Sequence, residues 1–158
     1  MMDALVTPDL EMLRDWMDKT TIDWFECGSC QALHLSAMQN IDGVFDAKLD
    51  IIDNVILVTV SAEVRSSALL TLVGEISQIN ASSLTAKCFL DIQDDSLPRL
   101  IICQSLSIGY GLALPQFSFF MQQSEEQLSM IIMELAANHL LVTSENTASP
   151  HTVQPLLH

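Results

Sequence analysis

The chain has 158 residues, with twenty Asp and Glu against six Lys and Arg, a formal net charge of −14 at pH 7. That length suits one domain with a core of useful size. The charge would repel a phosphate backbone and an anionic membrane, so neither direct nucleic-acid binding nor membrane binding is expected.

The first residues, MMDALV, carry an Asp and no basic region, so a secretory signal is not expected. The hydrophobic fraction is 49%, yet no apolar run reaches the roughly 18 residues that a bilayer span needs. The expected localisation is cytoplasmic, where the four cysteines would be reduced thiols. Thr7, Pro8 and Asp9 predict a helix start, with Thr7 as N-cap. Leu10, Leu13 and Met17 follow at helical spacing, with Met12 and Trp16 on the flank, and the helix should stop by Lys19 or Thr20. Residues 22–35 read as a small hairpin turning at Gly28 and Ser29. Ile22, Trp24, Leu33 and Leu35 would share a face, and His34 would sit across from Asp23. Residues 36–42 are expected to be a loop.

Residues 43–62 hold the clearest hairpin. A two-residue turn at Asp53 and Asn54 pairs Phe45 with Ala62, Ala47 with Val60, Leu49 with Val58 and Ile51 with Ile56. The other face carries Asp46, Lys48, Asp50, Thr59 and Ser61, so a one-residue slip would bury charge. Ser66 can then cap a helix to about Ile79, with Leu69, Leu72, Val73 and Ile76 as its buried stripe and Asn80 as its stop. Residues 84–92 and 99–106 are two further strands. After a loop at 107–114, Pro115 opens the longest helix, running to about Leu141. Its stripe is Phe117, Phe120, Met121, Leu128, Ile131, Ile132 and Leu135. Residues 143–158 are polar and aperiodic, which predicts a mobile tail after a single domain at 1–142. Antiparallel hairpins with flanking helices make this an α+β fold.

Cys27 and Cys30 form a C-G-S-C run. A redox pair would open a helix, but the QALHL that follows alternates like a strand. A zinc site needs four ligands, and only His34 lies near in sequence. The plainer expectation is a tight turn flanked by two structural thiols. Cys88 and Cys103 are expected opposite one another, both facing the core. Nucleophile elbow, P-loop and zinc-protease motifs are all missing. Phe119, Met130 and Met133 form a second apolar stripe on the long helix, either core or docking surface.

The outer face of the main sheet should be polar if one side faces water. Ile52, Val55 and Leu57 break that pattern on the first hairpin, and Phe89, Leu100 and Ile102 on the second. Either the first helix covers these six residues, or they receive a protein partner's apolar segment, with surrounding acids selecting a basic or amphipathic one.

The runs WFECGSCQALHL, MQNIDGVFDAKLDIIDN, AEVR, INASSLTAKCFLDIQDDSLPRLIICQSLS and QSEEQLSMII together resemble the YbjN family of enterobacterial proteins, across residues 10–141 in order. The resemblance implies a cytosolic, non-enzymatic sensory-transduction regulator, linked to exopolysaccharide production, motility and stress responses. It takes in AmyR-type repressors of exopolysaccharide synthesis. It also implies a fold similar to type III secretion chaperones, ordered α-β-β-β-α-β-β-α, which would make residues 22–35 one bent strand. Those chaperones are small, acidic and dimeric, and bind partner segments on apolar patches, so a homodimer is consistent with the likeness. The expected function is regulation through protein–protein interaction, with no catalytic residue, cofactor or metal. The alternatives are a dedicated secretion chaperone for an effector segment, and a thiol or zinc protein using Cys27 and Cys30.

Overall fold

The alternation over the first long hairpin folds as its pattern dictates. In a computed structural model, which describes residues 4–144, β3 (Asp46–Ile52) and β4 (Val55–Glu63) pair with Ala47 on Val60, Leu49 on Val58 and Ile51 on Ile56. Asp53 and Asn54 form the turn, both at positive φ (50° and 60°). Such a turn matches the right-handed twist of the flanking strands. Phe45 departs from the expected pairing. The ladder ends at Asp46, and the Phe45 ring turns to the outer face, where the Arg99 guanidinium lies 4.0 Å from its centroid.

Around this hairpin the chain adds α1 (Leu10–Lys19), β1 (Trp24–Phe25), β2 (Leu33–Leu35) and the one-turn α2 (Ser36–Gln39). After β4 come a 3-10 turn at Ser66–Ala68, α3 (Leu69–Ser82), β5 (Ala86–Asp91), β6 (Arg99–Ser107) and α4 (Leu114–Ala137). The strands form one antiparallel sheet in the order β1-β2-β3-β4-β6-β5. The α+β architecture is as expected. The strand count is six, because residues 22–35 are a hairpin and not one bent strand, and the expected loop at 36–42 holds α2.

The helices all contribute to one core on the inner face. Leu13, Trp16 and Met17 of α1 are buried there with Leu49, Val58, Leu100 and Ile102 of the sheet. Every residue of the α4 stripe, Phe117 to Leu135, is buried in the same cluster. At ~1.5 Å per residue α4 is about 36 Å long, enough to cross the sheet. Asp9, not Thr7, caps α1, its carboxylate accepting the Met12 amide at 2.9 Å. α3 runs past Asn80 to Ser82, and Val73 is exposed on its outer side. Asn80 is instead occupied on the edge strand, donating to the Cys88 carbonyl at 2.9 Å and accepting its amide at 2.8 Å.

The chain beyond α4 belongs to the fold at least to Ser144. Leu140 and Leu141 are buried, the Val142 amide donates to Glu63 O, and Ser144 binds Asp42. The first two residues of the expected tail, Thr143 and Ser144, lie against the fold, and 145–158 lie outside the described residues. No helix among the described residues is long and apolar enough to cross a membrane.

Candidate functional site: the open sheet face

The sheet has helices on one side. On the other, the register aligns one continuous row from edge to edge: Phe25, His34, Lys48, Thr59, Cys103 and Lys87. The first helix does not cover this row, because its apolar stripe is spent in the inner core. Ile52 keeps 51% of its surface exposed and Phe89 43%, while Val55, Leu57 and Ile101 are half-buried. Such apolar side chains in the open mark a surface that does more than meet water.

Two of the six expected outer-face residues are not there. Leu100 and Ile102 are wholly buried on the inner face, opposite Ala62 and Val60. The expected register set Phe89 against Ile102 and Cys88 against Cys103. The observed one sets Phe89 against Ile101 and Cys88 against Ile102. One residue of slip exchanges the two faces of β6. Residues 100–103, Leu-Ile-Ile-Cys, are apolar on both faces, so their own alternation specifies nothing, and pairing with β4 decides. Cys88 thus lies in the core, where burial pushes its thiol up to about 12. Cys103 lies on the outer side, also with a raised thiol pKa from burial.

Ile52, Val55, Leu57, Lys87, Cys103 and Ser105 line a shallow hollow of about 400 Å³. Next to it, Phe45, Lys48, Ser61, Asp91 and Arg99 line a more polar one. The face carries Lys48, Lys87 and Arg99 against Asp46, Asp50, Glu63 and Asp91, as the strand registers place them. It is close to neutral, so most of the acid lies elsewhere. On the far side of the molecule, Phe119, Met130 and Met133 of α4 are exposed, so the second stripe is not core.

At the β1–β2 end of the same face, side chains distant in role converge. Gly28 takes φ +80°, a conformation open to glycine, in the loop that turns Cys27 back on Cys30. Their sulfurs lie 3.2 Å apart, and Cys30 Sγ is 3.4 Å from His34 Nε2. His34 Nδ1 meets Asp46 Oδ1 at 2.9 Å, and the Phe25 ring stacks on the imidazole at 5.0 Å. Both cysteines are exposed and His34 is buried, and the two thiols flank a tight turn as expected. Hydrogen bonds from Ser29 and then Cys30 lower the Cys27 thiol to about 6. The proton shared with Cys27 raises Cys30. Burial, the largest single influence, opposes charge on His34, but the hydrogen bonds and charges of Asp46 and Cys27 together outweigh it and its pKa is raised. The carboxylate on His34 is Asp46, not Asp23. The register places Phe25 opposite His34, because the loop reaches two residues further than a turn centred on Gly28 and Ser29.

A family model for YbjN, described as "Putative bacterial sensory transduction regulator", matches residues 9–137. The chain belongs to the YbjN family. YbjN of Escherichia coli K12 is 56% identical over 145 residues, 92% of each chain, and the same figures hold for YbjN of Shigella flexneri. The crystal structure described as "YbjN, a putative transcription regulator from E. coli" matches with a TM-score of 0.86 at 57% identity, covering 89% of this chain and 100% of that one. The YbjN match takes in every named strand and helix, and so the whole open face with its thiol cluster.

Proposed function

We propose that this protein is a non-enzymatic regulator that acts by binding another protein on its open sheet face. The carrying observation is the hollow between Ile52, Leu57 and Cys103 on a sheet side that no described helix covers. An apolar side chain of Leu or Phe size seated there would contribute about 1.5 to 3 kcal/mol. The face is close to neutral, with alternating Lys, Arg and Asp, so it suits an amphipathic segment with one apolar anchor and charges of both signs. The family description supports a regulatory role, and by resemblance that role falls in exopolysaccharide production, motility and stress response. The E. coli relative is described as "a putative transcription regulator". With a net charge of −14 and three of the six cations spread over a face shared with four acids, any effect on transcription is indirect.

The test is copurification from native cytosol with wild type and a Leu57→Glu, Phe89→Glu variant. Neither side chain is in the core, so the variant should melt within a few degrees of wild type while losing the partner at least tenfold. Phe119→Ser on the far side should retain the partner. Ile102→Glu should unfold the domain and serves as the core control. If the double variant captures the same partner as wild type, the sheet face is not the docking site.

A further inference from the structure

We propose that Cys27, Cys30 and His34 form a binding site for a thiophilic divalent cation of the zinc class. Their three ligand atoms lie within 4.8 Å of one another. In a tetrahedral zinc site, with Zn–S near 2.3 Å and Zn–N near 2.0 Å, neighbouring sulfurs sit about 3.7 Å apart and S and N about 3.5 Å apart. The observed separations, 3.2 Å for the sulfurs and 3.4 Å for Cys30 Sγ to His34 Nε2, need only a small opening of an exposed loop.

The groups that hold the ligands in place are present as well. Nδ1 of His34 binds Asp46 and Nε2 points at the sulfurs, 3.4 Å from Cys30 Sγ; with Nδ1 donating to the carboxylate, Nε2 presents its lone pair to a metal, the arrangement that orients metal-binding histidines. Asp46 is itself fixed, its Oδ1 also accepting the Ala47 amide at 2.9 Å. The stacked Phe25 ring holds the imidazole plane. Sulfur ligands select soft or borderline cations over magnesium and calcium. Three ligands from the chain leave a fourth position on the solvent side, where water or a side chain of a docked partner completes the tetrahedron.

Cobalt is the probe, because thiolate-to-cobalt charge transfer reports sulfur ligation directly. The full chain, reduced and freed of metal with a chelator, is titrated with Co²⁺ and then Zn²⁺. We expect one Co²⁺ per chain, a charge-transfer band in the near ultraviolet, and displacement by Zn²⁺. Cys27→Ser should abolish the band. Asp46→Asn touches no metal and should weaken binding about ten- to hundredfold, which a casual pair of surface thiols would not show. Cys103→Ala should change nothing. His34 is buried, so the exposed Cys27 and half-buried Asp46 variants carry the test if His34→Gln fails to fold. A missing band, or binding unmoved by Cys27→Ser or Asp46→Asn, overturns the site. So does a reduced protein that refuses the metal but closes a Cys27–Cys30 disulfide with oxidised glutathione, which would make the pair a redox couple.

Discussion

Thr21 and His139 hold left-handed backbone, at φ 60° and 61°. Each ends a helix in the same way. After α1, the Ile22 amide reaches back to Met17 O at 2.8 Å and the Thr21 amide to Asp18 O. After α4, the Leu140 amide reaches Leu135 O at 3.1 Å and the His139 amide Ala136 O. This doubled closure wants glycine at the left-handed position. A β-branched residue there is an outlier, since its Cβ crowds the carbonyl. Thr21→Gly and His139→Gly should each stabilise by about 0.5 to 1 kcal/mol, after the extra freedom of the unfolded glycine is counted. Thermal melts read this as a rise of roughly 1 to 4 °C per substitution. Without glycine at either end, the sequence gives no sign of these closures, which is why the long helix reads as running to Leu141. The thiol cluster is half legible for a related reason. The spacing of Cys27 and Cys30 is visible in the chain, but Asp46 reaches His34 only through strand pairing.

β3–β4 was readable because each arm has one apolar and one polar face and the turn is two residues long. β6 was not, because its middle is apolar on both faces and the connection from β5 is irregular. At the edge, β5 leaves the outward backbone groups of alternate residues without a neighbouring strand. Ser83 Oγ accepts the Ala86 amide at 2.9 Å, and Asn80 takes both groups of Cys88. A single side chain from α3 thus stands in for one residue of a seventh strand, and it blunts an edge that could otherwise template pairing with another chain. Asn80→Ala would leave the Cys88 amide and carbonyl dependent on water. We expect a loss of about 1 to 2 kcal/mol in denaturant unfolding, together with faster hydrogen exchange at the Cys88 amide and little change in β3 and β4. Uniform acceleration across the sheet would show that Asn80 acts on global stability and not on the edge.

At the scale of the whole molecule, one face of the sheet is committed to a core and the other is left to solvent, and the chain after α4 fastens the two ends of that arrangement. Leu141 bridges Val64 beside β4, and Ser144 closes on Asp42, which precedes β3. The Ser144 amide donates to Asp42 Oδ1 and its hydroxyl to Oδ2, both at 2.9 Å. Those two bonds, the amide first, hold the Asp42 carboxyl below its ordinary value of 3.8. The sign of the effect follows from linkage. A carboxylate with a depressed pKa in the folded state contributes stability that is complete above its unfolded value, and that contribution is lost as pH falls through the folded value. Neutral pH therefore carries the whole effect, and the window in which it fades lies below 3.8. Asp42 is exposed, so the clip works mainly on local order at Thr143 and Ser144. The Ser144 amide resonance should titrate with the Asp42 carboxyl, at a midpoint below that of an ordinary aspartate. Ser144→Ala should return that midpoint toward the ordinary value, with the backbone bond alone holding back part of the shift. Asp42→Asn should remove the titration from the Ser144 amide altogether. A midpoint in Ser144→Ala equal to wild type would mean that the hydroxyl adds nothing and that the backbone amides of Ser144 and Gly43 set the pKa.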